Sequence, residues 1–199
     1  MSATDVVIIP SGGANIASLQ YALLRLGIDS AVSADAREIR QASHVVLPGV
    51  GAAADAMSRL RQKKLDTLIP ALVQPVLGIC LGMQLLFESS EEGQATCLGV
   101  ITGRAQRFPP HIGRPVPHMG WNTLNIERSS ALLEGIRQDD YVYFVHSYAL
   151  SLSSATLASS EYGHSFSACV QTRNFYGVQF HPERSAAVGA RLLKNFFRL

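Results

Sequence analysis

The chain has 199 residues, 47% of them apolar and 16% charged, with a formal net charge of +2. A chain of this length buries roughly 70% of the surface its unfolded form exposes, and its composition excludes disorder, collagen and coiled coil. A charge so near zero gives no reason to expect a nucleic-acid or anionic-membrane surface.

Asp5 to Ile9 is a short, mostly apolar run and reads as a buried strand, followed by a Ser11-Gly12-Gly13 turn. Asn15 is placed as an N-cap. Ile16, Leu19, Leu23 and Leu26 then recur at helical spacing up to Gly27, a helix stop. His44 to Leu47 predicts a second strand, ended by Pro48-Gly49-Val50-Gly51, and residues 52–64 predict a helix. Pro75 to Ile79 predicts a third strand and residues 81–89 another helix. Strands alternating with helices predict an α/β fold with a mostly parallel central sheet covered on both faces. Residues 102–118 carry four prolines and read as irregular connection. An additional β segment follows, with runs at 141–148, 155–158, 167–171 and 176–180. Val188, Leu192, Leu193, Phe196 and Phe197 then mark one face of a closing helix. No linker or repeat divides the chain, so a single domain over 1–199 is expected.

Residues 67–87 contain no charge, long enough to be tested as a membrane span. Pro70, Pro75, Gly78 and Gly82 break the run into shorter elements. The N-terminus has no basic region and too short an apolar run for a signal peptide. Cys80, Cys97 and Cys169 are odd in number and too far apart for a metal spacing. These features predict a cytoplasmic chain with no metal.

Gly78-Ile79-Cys80-Leu81-Gly82 places a nucleophile between two small residues, where a predicted strand meets a predicted helix. The turn sets Cys80 at a helix N-terminus, where the dipole and free N–H groups favour a thiolate. The Leu81 N–H is one candidate oxyanion donor. The candidate base is His181, delivered at the end of the 176–180 run, with Glu183 two residues on to orient the imidazole. In open α/β sheets ligand sites lie beyond the carboxyl ends of the strands, where Cys80 also sits. Read singly, Cys80 equally fits a buried structural cysteine and His181 a strand-end histidine. The residues alone do not show that the two meet.

Gly78 to Gln84, together with Phe180-His181-Pro182-Glu183, resembles the class I glutamine amidotransferases, over nearly the whole chain. Pro48 to Gly51, His118 to Asn122, Phe144 to Tyr148 and Tyr176 to Ser185 narrow the likeness. They resemble the glutaminase subunits of imidazole glycerol phosphate synthases, of histidine biosynthesis. The resemblance implies that Cys80 attacks the side-chain amide of glutamine, that His181 handles the proton, and that Glu183 holds His181. It implies a second oxyanion donor from the loop carrying Val50 and Gly51, and contacts to glutamine from Gln84, Glu92, Ser147 and Tyr148. It places Asn15, Met119 and Trp121 toward a partner, a (β/α)8-barrel synthase subunit that receives the ammonia in a heterodimer. No cofactor is implied in this chain. Two positions depart from the family's usual pattern: Pro10 stands where an acidic residue is common, and Arg184 where Lys is common.

Rival readings remain open at this stage. Gly49 to Ala54 fits G-x-G-x-x-A, but no acid stands at the end of the next strand, as a dinucleotide site needs. The elbow also fits a cysteine peptidase or thioesterase. A non-catalytic glutamine-binding subunit is the alternative from another class, with Arg59, Arg61, Lys63 and Lys64 as an interaction face.

Overall fold

The computed structural model describes residues 6–12, 16–109 and 114–199. The first half alternates strands and helices: β1 (Val6–Ile8), α1 (Ile16–Arg25), β2 (Ala31–Val32), α2 (Ala36–Gln41), β3 (His44–Gly49), α3 (Ala53–Gln62), α4 (Leu65–Leu68), β4 (Val76–Cys80) and α5 (Leu81–Leu85). Strands then dominate: β5 (Phe87–Ser90), β6 (Ala95–Thr96), β7 (Ile101–Arg107), β8 (His118–Thr123), β9 (Asn125–Ile126), β10 (Tyr141–His146) and β11 (Tyr148–Leu150). The chain ends with β12 (Thr156–Glu161), β13 (Ser165–Thr172), β14 (Phe175–Val178) and α6 (Ala186–Phe196).

The large sheet runs β2-β1-β3-β4-β14-β13-β12-β9. Its pairs from β2 to β14 are parallel and those from β14 to β9 antiparallel. The parallel strands are apolar on both faces, as strands covered by helices must be. Val7, Val45, Leu47 and Val76 pack with α3, α4 and α5. Val6, Ile8, Val46, Leu77 and Ile79 face the other way, with α1 and α6. Two smaller sheets extend these layers: β11-β7-β5-β6 on the first side and the β10-β8 ribbon on the second.

Three expectations are corrected. The helix predicted over 81–89 stops at Leu85, and Phe87–Ser90 is strand. Phe87 pairs with Ile101 and Ser89 with Thr96, and these long-range ladders outweigh local helical propensity. Residues 101–107 form a strand rather than irregular connection, with Gly103 at φ +131° accommodating the register shift against β5. The run at 141–148 is two strands in two different sheets, broken at Ser147. Asn15, placed as a cap and as a partner contact, lies outside the described residues. Among the described residues no helix is long and apolar enough to cross a membrane, and no group of three or more His, Cys, Asp and Glu is arranged to hold a metal ion.

Candidate active site

Cys80 ends β4 and opens α5 with φ 55° and ψ −112°, a left-handed conformation that a non-glycine residue holds only under constraint from its surroundings. The constraint is the crossing of α5 over β3 and β4. A Cβ on Gly78 would lie 2.6 Å from the Gly82 carbonyl oxygen, and one on Gly82 would collide with the Leu47 carbonyl. The small residues around Cys80 are thus required by backbone approaching backbone.

The register of the sheet assembles the rest of the site. Gly49 stands opposite Cys80 on β3, which brings Val50 and Gly51 beside that cysteine. Gly51 takes φ +87°. Val178 pairs with Ile79, so the chain leaving β14 reaches the same end of the sheet with His181. The His181 N–H is held by the Tyr143 carbonyl (2.9 Å). Buried Ser185 accepts from the Tyr143 N–H (3.0 Å) and donates to the His181 carbonyl (2.7 Å). Gly189 of α6 packs so tightly on the turn at Pro182–Arg184 that a Cβ would strike the Pro182 carbonyl.

One cavity of about 670 Å³ is lined by Cys80, His181 and Glu183 together with Val50, Gly51, Leu81, Gln84, Glu92, Ser147 and Tyr148. Every predicted catalytic, oxyanion and glutamine-contact residue therefore borders a single space, of a volume typical for small-molecule sites. His181 Nδ1 lies 2.8 Å from Glu183 Oε1, with both side chains nearly buried. His181 Nε2, on the ring edge away from Glu183, is buried with no hydrogen-bond partner among the described residues. Burial opposes charge on His181, but the nearby Cys80 sulfur and the hydrogen bond and charge of Glu183 prevail and raise its pKa to about 10.

Cys80 Sγ lies 3.7 Å from the Val145 carbonyl and 3.8 Å from Gln179 Nε2. Gln179 is a site residue that the sequence reading passed over. Fully buried, it accepts from Gln84 Nε2 (3.0 Å), which also donates to the Tyr148 carbonyl (2.9 Å). Its signal was its place two residues before His181, just past the strand that delivers that histidine. Glu92 Oε2 accepts from the Ala53 N–H (3.0 Å) and so supplies the cap that Ala52 lacks at the start of α3. Burial raises the Glu92 pKa, opposed by that backbone bond. The neighbouring Glu91 instead accepts from the Arg107 N–H, and does not line the cavity.

A family model for class-I glutamine amidotransferases matches residues 7–199. The chain is 52% identical to the imidazole glycerol phosphate synthase subunit HisH of Xanthomonas euvesicatoria, and 51% identical to HisH 2 of Legionella pneumophila, covering 98% of each chain in both cases. The chain belongs to the class-I glutamine amidotransferases, among the HisH subunits. The fold agrees with solved structures of distant sequence. It matches PurLQS from Thermotoga maritima (TM-score 0.76, 15% identity, 97% of each chain) and a glutamine amidotransferase (TM-score 0.75, 20% identity, 98% and 97%).

In this amidotransferase the β8–β10 ribbon has one buried and one open face. Register puts Trp121 opposite Tyr143 and Met119 opposite Val145. Met119 is 65% and Trp121 53% exposed, so neither belongs to the core. Trp121 meets Tyr143 edge-on, and the Arg184 guanidinium sits 4.5 Å over the Tyr143 ring, a cation–π contact at the rim of the cavity.

The buried face of the ribbon carries His118 and His146, with burial pushing their pKa values down to about 4 and about 3. An unfolded chain binds protons on both below pH 6.5, while the folded chain does not until much lower. Stability should therefore rise with pH between about 3 and 6.5. Lowering the pH from 7 to 5 should remove roughly 2 kcal/mol per histidine. Denaturant unfolding at the two pH values, for the natural chain and for His118→Phe, checks this: the variant should lose less.

Proposed function

We propose that this HisH chain hydrolyses glutamine to glutamate and ammonia with Cys80 as nucleophile, His181 as acid and base, and Glu183 as its orienting carboxylate. The observation that carries the reading is the strained Cys80 elbow sharing one cavity with the His181–Glu183 pair. Cys80 Sγ attacks the side-chain carbonyl carbon of glutamine. The developing oxyanion is taken by backbone N–H groups of Leu81 and of the Val50–Gly51 loop. Collapse breaks the C–N bond, and the proton held on His181 goes to the departing nitrogen, giving ammonia and a glutamyl thioester. His181, now neutral, takes a proton from water as the hydroxide adds to the thioester; collapse breaks the C–S bond, glutamate is released, and the proton returns to the Cys80–His181 pair. Glu92, Ser147 and Tyr148 contact the α-amino and α-carboxylate groups, with Gln84 beneath them.

The ammonia passes to a (β/α)8-barrel synthase subunit that makes imidazole glycerol phosphate and an aminoimidazole ribotide. The exposed Met119–Trp121 face, together with Tyr141 and Tyr143, is the surface offered to that partner, large aromatic side chains being the usual anchors of an interface. Transfer inside a heterodimer has a chemical reason: free ammonia is mostly protonated at pH 7 and is then no nucleophile. The whole chain acts as one cytoplasmic domain, with no cofactor of its own.

The test is glutamate release from glutamine by the chain alone, with the barrel subunit, and with that subunit's ribonucleotide ligand. Release should be weak alone and rise strongly with partner and ligand. Strong release without a partner would remove the gated, partner-dependent reading, and no release in any state would overturn the glutaminase.

A further inference from the structure

The two histidines of the β8–β10 ribbon form a hydrogen-bonded chain whose protons can be placed. His146 Nδ1 is 2.8 Å from the Tyr148 carbonyl, which can only accept, so the proton is on Nδ1. A neutral His146 then offers a lone pair on Nε2. His118 Nδ1, 3.1 Å away, must be the donor. That leaves His118 Nε2 as the acceptor for Asn122 Nδ2, at 3.4 Å. The Asn122 amide also donates to the Glu161 carbonyl (2.8 Å) on β12. Both imidazoles are at most 5% exposed, and His118 stacks between Tyr162 (4.1 Å) and Phe144 (4.9 Å). Phe108 and Phe166 close the remaining sides of the pair.

This chain begins at the glutamine pocket and ends on the strand of the exposed face. The Tyr148 carbonyl has two lone pairs, and both are used. One accepts from His146 and the other from Gln84, whose amide is tied in turn to Gln179 and so to Cys80. At the far end, His118 and Asn122 alternate along β8 with Met119 and Trp121. The pair is buried between rings where an apolar contact would serve packing equally well. Its polarity has a use only if the position of the carbonyl matters.

We propose that His118 and His146 are positioning residues: a neutral imidazole pair that holds the Tyr148 carbonyl, and through it Gln84, in the geometry that receives glutamine. The inference rests on the glutaminase reading and deepens it. Neither histidine touches the reacting atoms. Their effect is on how well the pocket fits glutamine, while the reactivity of Cys80 toward a small reagent stays unchanged. Because β8 carries both His118 and the Met119–Trp121 face, a shift of that strand moves the carbonyl by the same route.

The test compares two alkylating agents on the full chain: a glutamine-analogue diazoketone, which must occupy the pocket, and iodoacetamide, which need only reach the sulfur. Natural chain, His118→Phe, His146→Phe and His118→Asn are compared, since the Asn amide nitrogen lies where His118 Nδ1 was and still donates to His146. The natural chain should be labelled saturably by the diazoketone, with protection by glutamine. Both Phe variants should raise its half-saturation concentration about tenfold; in His118→Phe, which lies off the cavity wall that His146 helps to form, the iodoacetamide rate should stay within twofold and the melting temperature near that of the natural chain. His118→Asn should restore most of the loss. Equal half-saturation in natural chain and Phe variants would overturn the proposal. So would a parallel fall of both labelling rates with the melting temperature, which marks general loosening. A natural chain that the diazoketone does not label protectably would overturn the glutaminase reading itself.

Discussion

Cys80→Ala is expected to abolish glutamate release, lowering it by on the order of 10⁴-fold or more, since removal of a covalent nucleophile ends the pathway that the other groups serve. Cys80→Ser should behave similarly, because a serine hydroxyl is far less acidic than a thiol and a weaker nucleophile in a site built around sulfur. Folding should survive both changes. The conformation makes a sharper expectation. With φ 55° and ψ −112°, position 80 suits glycine better than any residue with a Cβ. In a helix or strand glycine is typically about 0.5–1 kcal/mol less stable than alanine. At position 80 the order should reverse, with Cys80→Gly unfolding at higher denaturant than Cys80→Ala. Retained glutaminase in any of these variants would remove Cys80 from its role. An ordinary alanine-over-glycine order would show that the elbow is not strained.

Gly82→Ala carries the largest expected cost in stability. The added methyl has nowhere to go, since it meets the Leu47 carbonyl of β3, and backbone in a central parallel strand cannot swing aside as a side chain can. A loss of about 3 kcal/mol or more is expected, at or beyond the usual range for overpacking. Gly51→Ala is the contrast. Among the described residues no atom beyond its chain neighbours lies within 4 Å of a Cβ there, so only the φ of +87° resists, for about 1 kcal/mol. Equilibrium unfolding of the two variants separates steric exclusion from backbone strain. A Gly82→Ala chain as stable as the natural one would mean that α5 does not cross β3 as closely as described.

The elbow was legible in the sequence because its chemistry is local. An apolar strand, two small residues around a cysteine and a following helix lie within a few positions, and each has a steric reason. The parallel half of the sheet was legible for the same kind of reason, since strands buried on both faces read as unbroken apolar runs. The pair His181 and Glu183 could be named from spacing, being two residues apart and bonded side chain to side chain.

Tertiary structure alone decided the remainder. Cys80 and His181 are 101 positions apart, and only the parallel pairing of β4 with β14 puts their chain ends side by side. Phe87–Ser90 could not be read as strand from its own residues, because its partners lie in β6 and β7. Of two adjacent glutamates, Glu92 borders the cavity and Glu91 secures β7, a difference set by which backbone N–H each one reaches. Trp121 is exposed and His118 is buried because β8 alternates its side chains across a ribbon with one covered face. Local sequence determined the parallel strands, the elbow and the reactive groups within a turn of one another. Long-range strand pairing determined which of those groups share a pocket, since register is a property of two segments together.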